Sequence, residues 1–275
     1  MKSETRRLVA RLGRASALAF ALGGCGVAVA YPGGTPDFQT NVTPFCAACH
    51  SSVDASALEG ASDDRAAKEV AEQKHLAAIA AGAKSYAGLA EGDRARLVEL
   101  LRAVDQNSTV ELDYPPQVAP GETFQVTVRL TGGAGPVVGA GLVDRAHRWF
   151  AKSADTVGWR VVGAPTVIGA KGEPQTAWLA RRPERLGRSV TFVNVTDWSS
   201  DAVSGRWARG KVIWTLRAPD ERGDYPLVAF YLYGTEKAVP LSTQADPLYG
   251  DQPLGGYTGR SGRVKFTAEH VITVK

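Results

Sequence analysis

The 275-residue chain has one methionine, Met1, and three cysteines, Cys25, Cys46 and Cys49. With Met1 as the initiator, no thioether side chain is left to ligate a metal. Three cysteines cannot make a disulfide framework, so the fold must rest on buried apolar surface. A membrane-length apolar run is also missing: Ala15 to Leu22 falls well short of the roughly 20 residues needed to cross a bilayer. At 44% hydrophobic and 22% charged, the chain has a globular composition, not that of a disordered tail. The formal net charge of +4 misleads. Residues 1–24 hold Lys2, Arg6, Arg7, Arg11 and Arg14 against Glu4. Without them acids and bases balance, so the charge is no argument for nucleic acid.

Those first residues read as an export signal: a basic start, then a short apolar stretch. Two cleavage sites compete. Leu22-Gly23-Gly24-Cys25 resembles a bacterial lipobox, which would lipidate Cys25 and attach the chain to a membrane. Ala28-Val29-Ala30 is an A-x-A site with Tyr31 as the mature start. The expected signal is therefore 1–24, or 1–30, and the expected location is a bacterial periplasm or cell surface.

The remaining two cysteines stand in Cys46-Ala47-Ala48-Cys49-His50, a C-x-x-C-H pattern. This is the spacing of c-type haem attachment. Two thiols three positions apart each add to a haem vinyl group, and His50 then lies beneath the iron as the proximal ligand. Rival readings fit less well. A thioredoxin-like site needs a βαβ context, and a four-ligand zinc site needs a second Cys/His pair.

The flanks extend the pattern. Phe38, Val42 and Phe45 have helical spacing before the motif. Ala66 to Ala81 reads as a helix ended by Gly82. A further helix presents Leu97, Leu100, Leu101 and Val104, with Asp93 suiting its N-terminal end. Residues 36–105 thus resemble the class I c-type cytochromes: helix, C-x-x-C-H, helix, ligand loop, final helix. The resemblance implies one covalently bound haem c and a small all-α domain. In that family a loop methionine usually takes the distal side of the iron, and Gly82 to Leu89 contains none. The expected substitute is His75 on the preceding helix, giving a bis-histidine iron with His50; Lys84 and Tyr86 in the loop, or an open position, are the alternatives. His75 lies on an apolar stripe with Ala71, Ala78 and Ile79, which equally suits a satisfied core histidine.

Beyond a turn-rich linker at 106–122, the period changes. Thr123 to Leu130 alternates with apolar residues at even positions, the pattern of a half-buried strand. Trp159–Val162, Thr176–Leu179, Val190–Val195, Lys211–Leu216, Leu227–Tyr233 and Val264–Val274 follow as strand candidates. Gly132–Pro136 and Gly139–Gly141 read as hairpin turns, and His270 as a buried strand histidine. The expected architecture is multidomain: an all-α haem domain at 31–105, then an all-β antiparallel sandwich at 123–275. Val212–Pro219 with Val228–Tyr231 is weakly similar to a Reeler-type sandwich, which carries no function by itself.

No catalytic set stands out. His147 beside Arg145 and Arg148, and the cluster Arg181, Arg182, Arg185 and Arg188, read as solvated basic surface. The sequence favours a one-electron carrier serving redox partner proteins over a catalyst. The alternatives are a haem-based sensor or enzyme with an open distal site, and a structural or adhesive sandwich with an accessory haem module.

Overall fold

The computed structural model describes residues 69–146, 151–175, 190–255 and 261–275. The strand candidate at 176–179, His147 and the arginines at 181–188 lie outside them.

The first described element begins with π-helical geometry over Glu69–Leu76 and tightens into α1, Ala77–Ala80. Gly82 ends it at φ +61°. Its N–H donates to Ile79 O, and the Ala83 N–H to Ala78 O, which closes the helix C-terminus in a Schellman turn. After a 3-10 turn at Lys84–Tyr86, α2 runs over Glu91–Gln106. It buries Leu97, Leu100, Leu101 and Val104, the face its sequence period marks.

The C-terminus of α2 is closed by side chains. Asn107 Nδ2 donates to Ala103 O, Ser108 Oγ to Val104 O, and Lys265 Nζ to Asp105 O and Ser108 O. A cation there also opposes the negative end of the helix dipole. Two residues later the chain enters β1, Thr109–Asp113. The segment read as a linker therefore holds two strands, β1 and β2 (Gln117–Val118), which bury Leu112 and Val118.

Two six-stranded sheets follow. The first contains β1, β3 (Thr123–Thr131), β9 (Arg209–Arg217), β6 (Thr166–Ile168) and β7 (Pro174–Gln175) in that order. In this sheet β5 (Arg160–Val161) also pairs with β9. The second runs β2, β14 (His270–Val274), β10 (Gly223–Gly234), β4 (Ala134–Val143) and β8 (Phe192–Thr196). Here β13 (Arg263–Phe266) also pairs with β10. All these pairings are antiparallel except β2 with β14. A separate hairpin joins β11 (Thr243–Asp246) to β12 (Gly250–Pro253).

The inner faces of both sheets share one core. Val126, Val128, Trp214 and Leu216 from the first meet Ala140, Leu142, Ala229 and Tyr231 from the second. Large rings are buried only with their polar atoms satisfied, because an orphaned donor costs about 1–3 kcal/mol. Trp198 Nε1 and Tyr231 Oη both donate to Gly132 O, Trp214 Nε1 to Val190 O, and Trp159 Nε1 to Pro226 O.

The glycine-rich stretch departs from its expected role. Gly132 and Gly133, at φ +75° and +65°, do make a turn, but it carries the chain from one sheet to the other. Gly139 and Gly141 are inside β4, in the middle of the second sheet. A Cβ at Gly141 would stand 2.3 Å from the Phe230 ring, and one at Gly139 2.7 Å from Phe192. These two rings stack at 5.9 Å across the strand, where larger residues would not fit. The long strand expected at Val264–Val274 is interrupted in a similarly specific way. Thr267 turns its hydroxyl to accept the Ala229 N–H, separating β13 from β14.

The helices do not form a layer of their own among the described residues. Leu76, Ile79, Tyr86 and the buried face of α2 belong to the same core cluster as the two sheets. A distinct all-α unit is therefore absent from the described part of the chain.

Candidate functional site

Cys25, Cys46, Cys49 and His50 lie outside the described residues. Of the three distal-ligand candidates, the structure brings His75 and Tyr86 together and leaves Lys84 exposed beside them at φ +57°.

His75 is fully buried, at the seam between the helices and the sheets. Arg263 Nη2 lies 2.9 Å from its Nδ1. A guanidinium has donors only, so Nδ1 accepts and the ring proton sits on Nε2. That proton points at Glu236 Oε1 and the Tyr86 hydroxyl. Tyr86 Oη in turn donates to Glu236 Oε1 at 2.7 Å, and Thr235 Oγ1 to Glu236 Oε2 at 2.7 Å. Both ring nitrogens are thus engaged, and binding a metal through either requires releasing a partner.

The network continues outward. Arg263 Nε donates to Asp105 Oδ2 at 3.0 Å, and Tyr233 Oη to Asp105 Oδ1 at 3.1 Å. Each sheet-side partner comes from the second sheet or its connections: Tyr233 from β10, Glu236 from the 3-10 turn Glu236–Ala238, Arg263 from β13. Gly255 closes the site, since a Cβ there would stand 2.2 Å from Glu236 Oε1 and 2.5 Å from Tyr86 Oη.

The electrostatics follow from burial and pairing. Burial pushes the Glu236 carboxyl up, but its contacts with His75 and its hydrogen bonds from Thr235 and Tyr86 outweigh this and hold it at about 2. Burial weakens the proton affinity of Arg263, yet Asp105, Tyr233 and Glu236 offset this and raise it. Burial pushes the Tyr233 phenol well up, helped by the Asp105 charge. Lys265 is drawn down by burial, with Asp105 acting against it. The arrangement is therefore two carboxylates and two cations around an imidazole, with charges that cancel locally.

Chemically, this set holds protons in place and ties three segments together. Among the described residues no three His, Cys, Asp or Glu side chains converge as a metal site. No described helix is long and apolar enough to cross a membrane. His270 is half-buried and its ring lies 4.6 Å from that of Tyr114 at a tilt of 39°, so it is not within the core.

Sequence reasoning missed Glu236, Arg263, Asp105 and Tyr233. None carried a local signal: Arg263 alternates with Val264 and Phe266 and reads as the outward side of its strand, yet it is buried against Tyr233. The chain matches no protein-family profile, and no curated protein matches it.

Proposed function

We propose that the protein is an exported monohaem c-type cytochrome that passes single electrons between redox partners. Cys46 and Cys49 would hold the haem covalently and His50 would bind the iron on the proximal side. The observation that carries this reading is Cys46-Ala47-Ala48-Cys49-His50 in a chain that opens with a basic, then apolar, export-type stretch. The donor set fits the group: two thiols at attachment spacing and an imidazole beside them. When bound, haem supplies a one-electron iron couple whose potential depends on axial ligand and burial. The sheets serve as the scaffold on which the helices that follow the motif are seated. His75, through Glu236 and Arg263, fixes the first of those helices to the second sheet.

A haem sensor or enzyme with an open distal position is the second reading. It is favoured by the engagement of His75 and Tyr86 with Glu236 and by the lack of any methionine after Met1.

The test is the intact mass of the exported protein. One haem per chain, lost in the Cys46→Ala/Cys49→Ala double variant, is the expected result, and a mature wild type without haem overturns the proposal. Carbon monoxide then separates the two readings. Binding to the reduced protein marks an open distal site, and refusal marks a saturated carrier.

A further inference from the structure

We propose that the outer face of the first sheet carries a docking groove for an acidic polypeptide segment. The inference is independent of the haem reading, since it uses only β1, β3, β6 and β9.

The groove is an open depression of about 590 Å³ over these strands. Its charged walls are Arg129, Arg209 and Lys211, with Glu111 opposing them. Strand register explains how the cations come together. Arg129 on β3 pairs directly with Lys211 on β9, and Thr131 with Arg209. Residues 209 and 211 share one face of β9, because side chains two apart on a strand point the same way. Like charges directly opposite across a strand pair cost stability; Glu111, directly across from Arg129 on β1, offsets that arginine and leaves Lys211 as the unbalanced member. Arg129 is satisfied from the other side, by Asp113 at 2.7 Å. Lys211 and Arg209 have no acidic partner within ion-pair distance among the described residues.

Arg209 and Lys211 stand outward on β9, and Gly210 between them turns its bare side inward, where a Cβ would meet the Trp198 ring at 2.7 Å. The cations stand on two adjacent strands, about 5 Å apart across the sheet and about 7 Å along it. They are spread along the groove and do not converge on one point, as carboxylates repeated along a partner chain require. Attraction of this kind sets association rate and partner choice and weakens with salt.

The test uses the purified full chain and a fluorescent polyglutamate peptide, with polyglutamine as the neutral control. At low ionic strength polyglutamate should bind and polyglutamine should not. The Arg209→Glu/Lys211→Glu variant should weaken binding about tenfold or more, and Lys275→Glu, on the other sheet, should leave it within about twofold. Absence of polyglutamate binding, or equal losses from both variants, would refute the groove. So would displacement by sulfate beyond that of chloride at matched ionic strength, which marks a single-oxyanion site.

Discussion

The imidazole of His75 and the carboxylate of Glu236 meet in the interior from positions 161 residues apart. Their contact, with Arg263 on the other ring nitrogen, makes one helix and one sheet share a polar centre. Removing one member of such a buried set leaves the others uncompensated. Glu236→Ala should therefore lower unfolding free energy by about 3–5 kcal/mol, read from urea denaturation at neutral pH. A loss below about 1 kcal/mol would mean that the site is solvated in solution.

Acid should weaken the same contact in a defined window. An unfolded glutamate titrates near pH 4.3, whereas folded Glu236 is held at about 2. The folded state therefore binds its proton less readily, and the stabilisation is complete above about pH 4.5. It is lost as pH falls towards 2. Glu236→Gln lacks this titration. Thermal melts of both proteins from pH 7 to pH 2 should converge at the acid end. Parallel curves would show that Glu236 does not carry the effect.

On the proposed haem reading, with His75 committed to Glu236 and Arg263, a haem-loaded protein should keep its ferric spin state in His75→Gln, which retains a donor and an acceptor. Stability should fall while the spectrum stays. A change from low to high spin in that variant, with folding intact, would identify His75 as the distal ligand and show that the polar network opens in the loaded protein.

Gly141→Val should destabilise the second sheet by about 1–3 kcal/mol, since its Cβ would enter the Phe230 ring. Pairing the substitution with Phe230→Ala should recover part of the loss, which a double-mutant cycle measures. Additive losses would show that the ring is not what excludes the side chain.

Elements with a strong local period were legible in the sequence. The even-numbered apolar residues of β3 are all buried, and the four apolar positions of α2 face inward. Gly82 ends its helix as a left-handed glycine should. The glycines of β4 were not legible as strand residues. Their reason lies in Phe192 and Phe230, which reach them from β8 and β10, and local composition carries no trace of such partners. The polar centre was half visible. A histidine on an apolar stripe announces a buried, satisfied ring, but its partners lie in β13 and in a short turn beyond β10. For the same reason β1 hid in a segment whose prolines and polar residues suggested a linker.

The way α2 ends has a practical outcome for anyone wishing to cut this protein into pieces. Its Asp105 carbonyl is held by Lys265, close to the opposite end of the chain, and its apolar side rests on the sheets. A fragment stopping at Asn107 would keep Cys46, Cys49 and His50 but lose that lysine, Glu236 and Arg263 together. It would be sticky and poorly set, and a failure to load it with haem would say nothing about whether the whole chain binds haem.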